Sequence, residues 1–315
     1  MSAKKRVLLT GASGFIGQSV MKHFEDCDFT IFEHRGKVLE RNNIVERINS
    51  FEGTIPQSEV WINLAGKAHD LSRVQSDKPY WEANYDFVLQ VYNEFLKQKE
   101  AKVFIHLSSI KAVADEPNRI IDETYPEDPK TVYGISKLEA DKYIMSHLPT
   151  GDKRVYILRP TMVHGEGNKG NLNSLFKYCQ SPLPYILGNY NGSRSYLSIE
   201  NLLFVIDELI NAAYPSDVFC LSDKDCIKTN ELVSWIYSQL GKQARIVRVP
   251  RFLMGTLAWI GDYLPIPVNT DTLKKVGSDY LVDSKKVRRV IGKQFPVTAE
   301  DGMKKTLKTF TEVQN

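Results

Sequence analysis

The sequence predicts an α/β fold, a doubly wound parallel sheet with a smaller C-terminal lobe. Three observations carry this reading. A short apolar strand at the N-terminus runs into glycines spaced three and three, and a helix follows. Through the first half, short apolar segments alternate with amphipathic ones, the pattern of parallel strands joined by right-handed crossovers. After Gly165 the alternation loosens into Gly- and Asn-rich loop before further helices.

In chain order, Val7, Leu8 and Leu9 read as the first strand, and the glycine turn leads into a helix from about 18 to 24. Residues 30–32 form a second strand and 60–63 another. A long helix spans roughly 79–99, with Ala83, Phe87, Val91 and Phe95 on one face. Residues 103–107 are a strand ending at Ser108 and Ser109. Tyr133 opens the next helix, and 155–158 is a strand ending at Arg159 and Pro160. Beyond Gly165 come helices at about 172–179 and 201–212, a strand at 218–221, and a helix at 230–240 with Thr229 as its N-cap. The expected division is a dinucleotide-binding domain of residues 1–164 plus about 196–223. Residues 165–195 and 224–315 are expected to form the substrate lobe.

With 315 residues the chain is long enough for two lobes sharing one cleft. Its net charge of +3 is scattered, which argues against a nucleic-acid partner. Cys27, Cys179, Cys220 and Cys226 form no Cys-x-x-Cys pair and have no histidine at metal-ligand spacing, so they read as reduced thiols. The N-terminus enters a strand without a signal-peptide apolar region, and the expected location is the cytoplasm. The longest apolar stretch, 252–264, falls short of the roughly 20 residues that span a bilayer. It reads as a helix packed in the second lobe; peripheral membrane contact beside a lipid-linked substrate is the alternative.

The turn Thr10-Gly11-Ala12-Ser13-Gly14-Phe15-Ile16-Gly17 suits a dinucleotide. Its first glycine takes a positive φ, the second admits a pyrophosphate, and the third lets helix pack on strand. Unpaired N–H groups and the positive helix dipole then face the phosphates. The cofactor is NAD or NADP. Glu33 at the end of the second strand suits the ribose hydroxyls of NAD, whereas His34 or Arg35 suits a 2′-phosphate.

In Thr131-Val132-Tyr133-Gly134-Ile135-Ser136-Lys137, the phenol and the ammonium lie one helical turn apart on one face. A nearby cation favours the phenolate, so the tyrosine is expected to exchange a proton below its free pKa of about 10. That is acid/base equipment for moving hydride at a carbinol carbon.

Together these segments resemble an extended short-chain dehydrogenase/reductase of the NAD-dependent epimerase/dehydratase family, a Rossmann-type fold. The resemblance runs over nearly the whole chain. It includes the glycine turn, Asn63-Leu64-Ala65-Gly66-Lys67-Ala68-His69, Asn84, Leu107-Ser108-Ser109, Tyr133 to Lys137, and Arg159-Pro160 with Val163-His164-Gly165. Arg194-Ser195-Tyr196, Leu281-Val282-Asp283 and the run from Pro296 to Gly302 extend it. The resemblance implies Tyr133 as acid/base. It implies Lys137 as the group that holds the nicotinamide ribose and lowers the tyrosine pKa, and Ser109 as the hydrogen-bond partner of the reacting oxygen. The implied cofactor contacts are Gly11, Ser13, Gly14, Phe15, Ile16, Gly17, Glu33, His34, Arg35, Leu64, Ala65, Gly66, Asn84, Leu107, Tyr133, Lys137, Pro160 and Val163. Arg194 is implied to grip the nucleotide diphosphate. Lys67, His69, Lys111, Asn171 and Leu172 are implied to line the substrate site. His164 stands where the family has tyrosine and carries no assigned chemistry.

The resemblance also bounds the reaction. Dehydratases of the group follow the catalytic Ser or Thr with Asp-Glu, whereas this chain has Ile110 and Lys111, so sugar dehydration is not expected. The run 107–113 with Asp122-Glu123 and Glu127-Asp128-Pro129 resembles the branch that makes 6-deoxyhexosamines for surface polysaccharide. The expected activity is therefore reduction of a UDP-linked 4-keto-6-deoxy sugar. A 4-epimerase that holds its NAD is the alternative, and a non-catalytic regulator or assembly factor the remote one. By analogy the partners are a nucleotide sugar and a second copy of the chain, paired through the long helices carrying Asn84 and Tyr133.

Overall fold

The computed structural model describes residues 4–33, 40–67, 76–168, 170–264 and 268–312; His34, Arg35 and His69 lie outside them. Strand β1 (Arg6–Thr10) is followed by α1 (Phe15–His23), β2 (Asp28–Phe32), β3 (Ile44–Ile48) and β4 (Val60–Asn63). Next come α2 (Lys78–Trp81), a π turn at Glu82–Asp86 and α3 (Phe87–Lys97), then β5 (Val103–Leu107), α4 (Val132–Ser146), β6 (Arg154–Pro160) and β7 (Met162–His164). The remainder comprises α5 (Asn171–Gln180), β8 (Ser193–Arg194), β9 (Tyr196–Ser198), α6 (Ile199–Asn211), β10 (Asp217–Leu221) and β11 (Ile227–Lys228). Helices α7 (Thr229–Gln239), α8 (Arg251–Gly261), α9 (Thr270–Gly277), α10 (Lys285–Ile291) and α11 (Ala299–Glu312) complete it.

Seven strands form one parallel sheet in the order β10-β6-β5-β4-β1-β2-β3. Alternate side chains of each strand face opposite layers. Val7, Leu9, Ile62 and Ile105 pack under α1, α6 and α10; Leu8, Trp61, Phe104 and Ile157 pack under α3 and α4. Both faces are therefore covered, which explains why β1 and β4 carry apolar runs and β5 is interrupted only by His106. A separate core joins α5, α7, α8, α9 and α11 through residues such as Phe176, Ile236 and Met303.

Strand β3 has no counterpart in the sequence reading. It is an edge strand with Val45 exposed and Glu46 and Arg47 in its middle, so it lacks the apolar run that marks a central strand. Helix α1 begins three residues earlier than expected because Gly14 itself occupies the cap position. Thr229 is the first residue of α7 and not its N-cap; its hydroxyl donates to the Gly192 carbonyl at 3.0 Å.

The order reverses at β1: the chain runs from β1 through β2 to β3 on one side and then crosses back to β4 on the other. Such a switch point opens a crevice at the carboxyl ends of the strands.

Candidate active site

The crevice is built from the glycine turn outward. Gly11 adopts φ 73°, and a Cβ there would lie 2.7 Å from the Leu64 carbonyl carbon of the β4 loop. A Cβ on Gly17 would collide with the Gly11 carbonyl oxygen, so α1 rests directly on the turn only because that carbon is missing. Thr10 ties the two loops together: its hydroxyl donates to Asn63 Oδ1 at 2.5 Å and accepts from the Ala65 N–H at 3.2 Å. The result is a cradle of backbone at the N-terminus of α1, which fits the pyrophosphate of a dinucleotide.

A cleft of about 660 Å³ runs from this cradle along the sheet edge. Of the sequence candidates, Gly11, Ser13, Gly14, Glu33, Leu64, Ala65, Gly66 and Lys67 line it. The sequence reading missed Phe32, Glu82, Asp86 and Gln90, which also line it. The two carboxylates sit on the π turn, whose wider winding turns residues out of the helical register that periodicity follows.

The same π turn delivers Asn84, which is buried. Its Oδ1 accepts from the Lys67 N–H at 2.8 Å, while its Nδ2 donates to Lys67 O at 3.2 Å and to Ser136 Oγ at 3.2 Å. Asn84 therefore clamps the β4 loop to α4. Gly66 completes the contact, since a Cβ there would sit 2.8 Å from Asn84 Oδ1 and 2.9 Å from Lys137 Nζ.

Helix α4 is capped by Thr131, whose side chain accepts from the Gly134 N–H at 3.2 Å. Tyr133 is half-buried and hydrogen-bonded to the Ser109 side chain at the end of β5. Lys137 is buried, and its ammonium donates to the Leu107 carbonyl at 3.0 Å. Structure and sequence reading differ here on the electrostatics. Burial pushes the Tyr133 phenol above its usual range; the Ser109 hydrogen bond opposes this, and the charge of Asp141 adds to it. Burial likewise pushes Lys137 down to about 8, against the pull of Asp141. Desolvation outweighs the Ser109 hydrogen bond, and without a bound cofactor the phenol stands protonated at neutral pH.

Behind this pair lies a buried polar network that the sequence reading did not assign. Asp141 Oδ2 accepts from Ser108 Oγ at 2.8 Å and from Arg159 Nε at 2.8 Å, and Arg159 reaches Glu127 at 2.7 Å. Asp141 Oδ1 lies 3.7 Å from His106 Nε2, whose other nitrogen meets Asn63 Nδ2 at 3.0 Å. Burial holds His106 well below its usual pKa, so it is neutral. Asp141 was legible by spacing, being one helical turn beyond Lys137 on the same face.

Two residues beyond Ser109, Lys111 lies 4.5 Å from the centre of the Tyr280 ring and donates to the Asp115 carbonyl at 3.0 Å. Burial lowers its pKa, Asp115 opposes this, and the neighbouring Arg194 lowers it further, so two cations face one another there. Arg194 donates to the Lys275 carbonyl at the end of α9. Asn171 is exposed at the start of α5, while Leu172 is buried in the second core and offers a ligand only its backbone. Among the described cofactor candidates, Phe15, Ile16, Gly17, Asn84, Leu107, Tyr133, Lys137, Pro160 and Val163 do not line the cleft. His164 is buried against Thr306 at 2.8 Å and Asp223 at 3.7 Å, a structural tie to α11. The four cysteines are free. Among the described residues no cluster suits a metal ion, and no helix is long and apolar enough to cross a membrane.

A model of the NAD dependent epimerase/dehydratase family matches residues 7–219. A UDP-glucose 4-epimerase of Vibrio cholerae is 26% identical, covering 99% of this chain and 97% of that one. An N-acetyl-alpha-D-glucosaminyl-diphospho-ditrans,octacis-undecaprenol 4-epimerase of Escherichia coli O157:H7 is also 26% identical, over 90% of this chain and 84% of that one. Among solved structures, a UDP-glucuronic acid 4-epimerase from Bacillus cereus in complex with NAD superposes with a TM-score of 0.76 at 16% identity, covering 98% of this chain and 100% of that one. A Thermotoga maritima UDP-glucose 4-epimerase with UDP-glucose gives a TM-score of 0.76 at 18% identity, with the same coverage. At these identities the structural matches speak to the fold alone.

Proposed function

The chain belongs to the NAD dependent epimerase/dehydratase family, and on that premise we propose that it is an NAD-dependent 4-epimerase of a diphosphate-linked hexose or N-acetylhexosamine. The observation that carries this reading is the Ser109–Tyr133–Lys137 set beside a dinucleotide cleft, in a chain with no acidic pair at 110–111 for dehydration. The sequence alone leaned toward one-way reduction of a 4-keto sugar. Two relatives named as 4-epimerases, each matched over 84% or more of its length, favour inversion instead.

Glu33, Glu82 and Asp86 line the cleft and would repel a 2′-phosphate, which supports NAD over NADP. Glu33 also pairs with Arg47 of β3, which fixes its carboxylate at the end of β2. Bound NAD would take hydride from C4 and return it to the opposite face, so the reaction would need no outside oxidant or reductant. The cationic nicotinamide of bound NAD would favour the Tyr133 phenolate, which would accept the O4 proton as hydride leaves and give it back on return, and Ser109 would hold that oxygen in line. Lys137, fixed by its hydrogen bond to the Leu107 carbonyl, would hold the ribose beside the phenol. The cationic pair Lys111 and Arg194 would bind the substrate diphosphate, an anion that relieves their mutual repulsion. Lys67, His69, Asn171 and the backbone of Leu172 would complete the sugar pocket. UDP and a polyprenyl carrier share that diphosphate chemistry. Our reading keeps the two-lobed division, a cytoplasmic location and homodimer pairing through the helices of Asn84 and Tyr133.

To test it, purified protein is denatured and its released dinucleotide assayed, and native protein is mixed with UDP-glucose or UDP-N-acetylglucosamine without added cofactor. Near-stoichiometric NAD(H) with formation of the C4 epimer is expected. A protein free of dinucleotide that oxidises NADPH with a UDP-4-keto sugar would restore the reductase reading.

A further inference from the structure

We propose that α8 and the basic segment before it form a docking surface for an anionic lipid bilayer. The buried side of α8, Met254, Ala258 and Gly261, packs on the core of the second lobe. The opposite side is apolar too. Phe252 is 73% exposed, Trp259 60% and Tyr263, in the turn that follows, 75%; Leu253, Ile260 and Leu264 are also exposed. At 100° per residue these side chains fall within one arc of roughly 140°. A helix facing water carries charges along such an arc, but none stands between Arg251 and Asp262.

The basic charge lies at the N-terminal rim; at the other end the single acid, Asp262, accepts hydrogen bonds from Thr270. Lys242, Arg245, Arg248 and Arg251 precede and open α8, and residues 240–261 contain no Asp or Glu. Lys242 and Arg245 donate to the carbonyls of Gln180 and Pro182, at 2.7 and 3.4 Å. Among the described residues none of the four pairs with a carboxylate. An apolar face with Trp and Tyr, edged by unneutralised cations, complements the headgroup layer of an anionic membrane. Continuity with the site supports that occupant. Helix α8 packs on α9, whose Lys275 carbonyl holds Arg194, the residue we assign to the substrate diphosphate. Docking would bring that pocket to the bilayer surface, where a polyprenyl-diphosphate sugar presents its headgroup. This last link rests on the function proposed above; docking itself does not.

The test is flotation of the intact protein with vesicles of phosphatidylethanolamine and phosphatidylglycerol, compared with phosphatidylcholine alone. Wild-type protein is expected to float with the anionic vesicles. Binding should fall about tenfold or more with neutral vesicles or in the double variant F252S/W259S. The variant's circular dichroism and urea midpoint report whether it folds. The proposal is overturned if wild-type protein stays at the bottom of the gradient, or if a folded F252S/W259S variant floats equally well. It is also overturned if lipid-free sedimentation shows a wild-type oligomer that this variant dissociates, because a second copy would then own the face. Sugar turnover enters none of these readouts, so the proposed activity can fail independently.

Discussion

Replacing Lys137 by methionine should make the protein more stable at neutral pH while destroying its activity. In the native state burial lowers the ammonium pKa from 10.5 to about 8, so at pH 7 a charge is held where it is disfavoured. At 1.36 kcal/mol per tenfold, that penalty is about 3 kcal/mol. Methionine abandons the 3.0 Å hydrogen bond to the Leu107 carbonyl, which costs about 1 kcal/mol. The net expectation is a gain of about 2 kcal/mol at pH 7. The sign with pH follows from proton counting. Between about 8 and 10.5 the unfolded lysine holds a proton that the folded one has lost, so wild-type stability rises there relative to the variant. Urea unfolding of both proteins at pH 7 and pH 10 measures this. The reasoning is refuted if the stability gap is independent of pH, or if the variant is the less stable protein at pH 7.

Tyr133→Phe should lower turnover by at least about 100-fold while leaving NAD affinity within a fewfold, checked by steady-state kinetics and calorimetric titration. Gly17→Ala forces a methyl into the Gly11 carbonyl and should weaken NAD binding by about tenfold or more, with loss of stability visible in the melting temperature. Asp141→Asn removes a charge that raises both the Tyr133 and Lys137 pKa values, so the alkaline rise of the pH–rate profile should move toward lower pH. The same variant loses part of the support of buried Arg159 and should unfold about 2 kcal/mol more easily, as read by urea denaturation.

How much was legible depended on whether a residue announced itself locally. The central strands did, because burial on both faces demands continuous apolar runs; β3 did not, because an edge strand tolerates exposed Val45 and Glu46 and a charged Arg47 beside them. The glycine cradle was readable from spacing, since Gly11 and Gly17 are the only residue type that fits there. The cleft wall from Glu82 and Asp86 was not, because a π turn breaks the periodicity that assigns helix faces. The direction of the Tyr133 shift was misjudged for a related reason. Helical spacing reveals that Lys137 shares its face, but not that the ammonium turns toward Leu107 and that burial dominates both groups.

The claim that hydride leaves C4 and returns to it within one site is tested most directly with a substrate deuterated at C4. UDP-glucose or UDP-N-acetylglucosamine so labelled is incubated with the protein without added cofactor, and the product is analysed by mass spectrometry and NMR. The account predicts a C4-inverted sugar that keeps its deuterium at C4. Inversion with loss of the label, or product that forms only when NADPH is supplied, would contradict it.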